Sequence, residues 1–173
     1  MRVPGGRLVR AVDFLFDRAV VSFAAGTLAL ALVVMTLQIV FRYGLNASLV
    51  WAEELARYAL IWSAMVGTSV AYRRAELVGV TYLPDRLPPR WSARLLRAVD
   101  GIVLMFSIVL MREGWLLTLR NFDRNQLTPA LQIPIAWANL AIPAGGLLLG
   151  VAALEALLAG RTRAFHSPDA LPE

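Results

Sequence analysis

From Ala19 to Phe41 the chain carries no charged side chain. A helix needs about 20 mostly apolar residues to cross the roughly 30 Å hydrocarbon core of a bilayer, and only structures that satisfy their own backbone hydrogen bonds are tolerated there. This stretch is predicted to be a transmembrane helix. A cleaved signal peptide would have an apolar core of only about 7–15 residues followed by a small-residue cleavage site, whereas the exit here reads IVFRYG. Three further runs have the same character, at about 50–72, 99–119 and 135–158. The expected fold class is an all-α integral membrane protein with four transmembrane helices, a transmembrane domain over 19–158. An N-terminal segment, 1–18, precedes it and a polar tail, 159–173, follows, expected to be disordered.

Composition agrees with that class. Hydrophobic residues make up 58% of the chain and charged residues 17%, against about 45–50% and 25% in soluble domains. All 17 basic residues are arginine. They lie between apolar runs and form no soluble basic face, so no nucleic-acid partner is expected. Their placement gives direction under the positive-inside rule. Arg2, Arg7, Arg10 and Arg18 precede span one, six lie between spans two and three, and Arg161 and Arg163 follow span four. The opposite side receives Arg42, Arg120 and Arg124. Both termini and the middle loop are therefore expected to be cytoplasmic.

Within the middle loop, PPRWSARLLRAVD begins with prolines suited to a helix start. Leu87, Trp91, Leu95 and Val99 stand four apart, and Arg90, Arg94 and Arg97 take the other face. This pattern predicts an amphipathic stretch at the inner headgroup region, with Trp91 and the three arginines on membrane lipids, running into span three.

The sequence excludes several chemistries. With no cysteine and one histidine, His166 in the tail, it has no thiolate or imidazole ligands for zinc or haem inside the spans. It also lacks the P-loop and GxSxG signatures. No catalytic residue, metal or cofactor is expected, and the chain is not read as an enzyme.

Charges inside the spans are the candidate functional residues, because burying them in a membrane is costly. Glu53 and Arg57 stand four apart in the favourable order for a helical ion pair, and Glu54 and Arg57 stand three apart. At about 1.5 Å per residue they sit one to two turns below the outer surface. Two roles stay open for the glutamates: capping the positive end of the helix dipole, or contact with a partner protein. Trp51, Glu54, Tyr58 and Trp62 form one stripe, and Ser63, Gly67 and Ala71 form a separate ridge of small residues. Gly146 and Gly150 form a second small pair, in span four, suited to close helix approach. In span three Arg112 and Glu113 are adjacent and so point about 100 degrees apart on a helix. They are not expected to pair with each other, and Arg112 is expected to approach Glu53 or Glu54. Pro143 implies a kink or a late start in span four, and QLTPALQIP reads as a re-entrant or outer-surface piece.

Taken in order, WAEELARYALIWSAMVGTSVAYRR, a basic loop, a third span containing REGW, and QLTPALQIPIAWANLAIPAGGLLL resemble the small membrane subunit, the DctQ-type component, of tripartite ATP-independent periplasmic (TRAP) transporters. The resemblance covers roughly residues 10–158. It implies a bacterial inner-membrane scaffold for a large permease subunit, which carries the substrate and coupling ions, and cooperation with a periplasmic solute-binding protein in ion-gradient-driven uptake of organic anions. It makes Trp51, Glu53, Glu54, Arg57 and Trp62 candidates for the partner interface, and the charges of Arg112 and Glu113 inside span three add those two residues to the candidates. The chain departs from the family where many relatives read xHxxVDxL and it reads ELVGVTYL, with Leu77 and Thr81. The rival reading is a self-sufficient, proton-coupled homo-oligomer, which requires a carboxylate near the midplane. Glu53 and Glu54 are too shallow for that.

Overall fold

A computed structural model of the protein describes residues 8–74 and 88–158, with side chains described from residue 18 onward and the Pro89 side chain excepted. Among the described residues every regular element is helical: α1 (Leu8–Gly44), α2 (Val50–Arg73), α3 (Pro89–Asp123), α4 (Ala136–Asn139) and α5 (Ala141–Leu158). Three of them are long and apolar enough to cross a membrane, at Arg18–Gly44, Arg90–Asp123 and Ala136–Leu158. At 24 residues α2 has the length to do so as well, but Glu53, Glu54 and Arg57 dilute its apolar character. The departure at ELVGVTYL, the middle-loop position Leu87 and the tail lie outside the described residues.

The helix ends follow local chemistry. α1 closes with Asn46 in the left-handed region, φ 50, a conformation that asparagine tolerates better than most residues. α3 opens on Pro88 and Pro89, where proline's fixed φ suits the first turn and its missing N–H costs nothing. Its amphipathic start and its apolar span form one uninterrupted helix of 35 residues. The last span is broken at Leu140, which separates α4 from α5. The cause lies three residues on, because Pro143 has no N–H to offer Asn139 and its ring crowds that carbonyl.

The helices form an open row in the order α1, α2, α5, α3. Among the described residues α1 packs on α2 alone, α2 also on α5, and α3 on α5, with the short α4 wedged at one end against α2 and α3. Small residues set each spacing. Between α1 and α2 the seam is Ala31 and Val34 against Ala52, Ala56 and Ala59. At α2 and α5 a Cβ on Gly145 would lie 2.8 Å from Met65 Cβ, and at α3 and α5 one on Gly146 would lie 3.0 Å from the Met111 backbone nitrogen. The glycine pair Gly146 and Gly150 is thus used inside the chain. Of the predicted ridge on α2, Ser63 donates to Ala24 O of α1 at 2.9 Å, while Gly67 faces open space.

A polar lock holds the end of the row where α2 stops. Tyr72 Oη donates to Asp100 of α3, and Arg73 donates through Nε and Nη2 to Glu155 Oε2 of α5, at 3.0 and 2.7 Å. Because the Glu155 side chain is 41% exposed, Glu155→Gln is expected to cost about 1 kcal/mol or less. Chemical denaturation in mild detergent measures this.

Candidate functional site

Glu54 sits on the second turn of α2 and is 9% exposed. Its Oε2 accepts the backbone N–H groups of Ala130 and Leu131 at 3.1 and 2.8 Å, and its Oε1 accepts the Tyr58 hydroxyl at 3.1 Å. The carboxylate therefore holds the loop between α3 and α4. That loop is itself tightly built. Thr128 N–H donates to Ile133 O at 2.9 Å and Ile135 N–H to Gln126 O at 3.0 Å. Thr128, fully buried, accepts the Ile133 N–H on its hydroxyl at 3.2 Å. Gln132, at φ 54, turns the chain. QLTPALQIP is thus a pinned hairpin-like turn, and a charge-assisted contact to two amides is what fastens it.

Glu53 meets α1, accepting Gln38 Nε2 at 2.7 Å. Gln38 is 5% exposed and its Oε1 has no protein partner. Neither glutamate pairs with Arg57, which is exposed, although the spacing favours it. Gln38 and the loop amides take the carboxylate oxygens instead. Trp62 packs edge-on against Phe23 at 5.9 Å and donates its indole N–H to Trp137 O at 3.2 Å. Along the stripe predicted on α2, Glu54, Tyr58 and Trp62 find partners within the chain, and Trp51 at the rim remains 40% exposed.

Two expectations for α3 need correction. Arg112 and Glu113 do pair, Nη1 to Oε1 at 2.5 Å. The 100-degree rule fixes where their Cβ atoms point, yet both side chains are long and exposed enough to curl together over the helix surface. Nor does Arg112 approach Glu53 or Glu54, because α5 stands between α2 and α3 in the row. At the start of α3, Arg90, Arg94, Arg97 and Trp91 are all exposed, and the Arg94 guanidinium lies 5.3 Å over the Trp91 ring. The buried positions there are Leu96 and Asp100, one residue on from the predicted stripe, which leaves Trp91 outside.

Sequence reasoning passed over Gln38, the Tyr72–Asp100 contact and Glu155. For Glu155 a signal was present: a carboxylate inside an otherwise apolar fourth span, with Arg73 available as partner. The groove between α2, α3 and α5, lined by Trp62, Met111, Trp115, Leu140, Pro143, Ala144 and Leu147, offers no cation to an anionic solute.

The family described as tripartite ATP-independent periplasmic transporters, DctQ component, matches residues 31–163. The chain belongs to this family. This DctQ-family chain is 31% identical to the sialic acid TRAP transporter small permease protein SiaQ of Vibrio cholerae, over 74% of its own length and 73% of SiaQ. It is 26% identical to a TRAP transporter small permease protein of Haemophilus influenzae, over 87% of its own length and 92% of the relative. The isethionate TRAP transporter permease protein DctMQ of Oleidesulfovibrio alaskensis is 30% identical over 84% of this chain, but the match occupies only 24% of that longer protein. The chain is a TRAP small permease subunit.

Proposed function

We propose that this small permease is the stationary membrane partner of a large permease subunit. The pair takes up organic anions, driven by an ion gradient and supplied by a periplasmic binding protein, in a bacterial inner membrane. In this reading α2 is the fourth crossing, with Glu54 of its second turn held by the chain's own outer loop. Both termini and the segment between α2 and α3 lie in the cytoplasm, as the arginine distribution requires.

One observation carries the proposal: polar side chains tie the frame together. Glu54 fastens the outer loop, Gln38 and Glu53 tie α1 to α2, and Asp100 and Glu155 tie α3 and α5 to the end of α2. A proton-coupled homo-oligomer would need a carboxylate that changes partners during the cycle. Glu54, with two backbone amides and a tyrosine hydroxyl on it, is fixed in place.

The test is purification from a host that co-expresses the chain with a large TRAP permease subunit. A stable complex with a large multi-span protein is expected. A self-associated oligomer, with no such partner under conditions that preserve membrane complexes, would favour the rival reading.

A further inference from the structure

The open row leaves two outer edges, and their chemistry differs. The α1 edge presents Leu32, Val33, Ile39 and Val40, each more than half exposed, from a segment with no charge between Ala19 and Phe41. Its threonines do not disturb this, since Thr27 and Thr36 return their hydroxyls to their own helix, at 3.0 Å to Phe23 O and 2.8 Å to Leu32 O. Such a surface needs nothing that lipid tails cannot supply.

The α3 edge begins the same way, with Ile102, Met105, Phe106 and Val109 all exposed. One turn further along, the Arg112–Glu113 pair stands with its side chains 73% and 55% exposed. Its depth matters. Arg97 and Arg120 lie about 34 Å apart along α3 at ~1.5 Å per residue, which brackets a hydrocarbon core of about 30 Å. Arg112 then sits about 12 Å inside the outer boundary by the same rise. A single bond to Glu113 leaves most of the five guanidinium N–H donors unsatisfied, and hydrocarbon offers no acceptor. The ion pair also stands on a ridge between hollows. Ile108 and Trp115, on the same side of α3 as Arg112, line two apolar grooves of about 210 and 450 Å³, and Glu113 lines a third of about 180 Å³.

We propose that the outward face of α3 around Arg112 and Glu113 is the docking surface for the large permease subunit, whereas the outward face of α1 meets lipid. The occupant is a membrane helix of that subunit. It carries a carboxylate or amide level with Arg112 and apolar side chains that enter the flanking grooves. This rests on the reading of the chain as a subunit of a larger permease. The DctMQ relative, in which the matching portion is about a quarter of one longer chain, favours a different polypeptide over a second copy as the neighbour.

The chain has no cysteine, so single cysteines report their surroundings without background. Met105→Cys on the α3 edge and Val33→Cys on the α1 edge, each carrying a benzophenone photo-crosslinker, are illuminated in the purified complex. Label transfer to the large subunit from Met105→Cys and not from Val33→Cys is expected. In addition, the double variant Arg112→Leu, Glu113→Leu, which folds without any buried partner to lose, is expected to retain at least about tenfold less large subunit on co-purification. Transfer from Val33→Cys alone, transfer from neither position, or transfer from Met105→Cys to a second copy of this chain would overturn the docking face. Failure of the cysteine-free chain to retain any large subunit would instead overturn the underlying reading.

Discussion

Glu54→Ala is expected to free the outer loop and to lower the thermal midpoint of the detergent-solubilised chain by on the order of 10 °C. The substitution leaves two backbone N–H groups and a tyrosine hydroxyl without their acceptor, and unsatisfied donors cost more than the bonds they made. It also releases a turn that holds Gln132 at φ 54, a conformation that persists only where its surroundings enforce it. Glu54→Gln keeps one acceptor oxygen and should produce a smaller drop. Amide hydrogen exchange distinguishes a local from a global effect. Ala130 and Leu131 should lose protection in Glu54→Ala by at least about tenfold more than amides of the α1–α2 seam, a local opening rather than general unfolding. Uniform loss, or none, would show that Glu54 does not fasten the loop.

Gly146→Leu is expected to be among the most damaging substitutions in the helix row. A Cβ there would lie 3.0 Å from Met111 N, 3.1 Å from Ser107 O and 3.2 Å from Leu110 Cβ. Two of those three atoms are backbone and cannot rotate away, so α3 and α5 must separate. Overpacking of this kind costs about 3 kcal/mol, and here it also opens the Tyr72, Leu149, Ala152 and Ala153 cluster. Gly67 provides the control, since nothing lies within 4 Å of its virtual Cβ. Gly67→Ala should be neutral or stabilising by up to about 1 kcal/mol through helix propensity alone. Denaturation of both variants in one detergent checks the contrast; equal effects would contradict the packing described.

The helices were legible in the sequence because uninterrupted apolar length is a one-dimensional property. Val50–Arg73 and Ala136–Leu158 fall within a residue of the stretches read from composition. Helix order was not legible. Apolar runs do not encode which neighbour they meet, and the glycines that set the spacing, Gly145 and Gly146, show their partners only in three dimensions. The partners of Glu54 were hidden for a different reason: they are backbone amides, which every residue but proline carries, some 76 residues away. The Arg112–Glu113 pair was missed because a helical wheel places Cβ atoms and ignores the reach of long side chains. The charge pattern singled out Glu53, Glu54, Arg112 and Glu113 as candidates, and they divide by place in the row. On α2 Glu54 is buried and Glu53, though exposed, reaches Gln38 of α1, whereas the two on α3 face outward.

A chain whose buried carboxylates, Glu54 and Asp100 among the described residues, are tied to other segments of the same chain should move no solute alone. Uptake of a labelled organic anion into proteoliposomes under an imposed sodium gradient tests this directly. The chain should be inactive when reconstituted by itself, and uptake should require the large permease subunit and the binding protein. Gradient-dependent accumulation by this polypeptide unaccompanied would contradict its role as a scaffold.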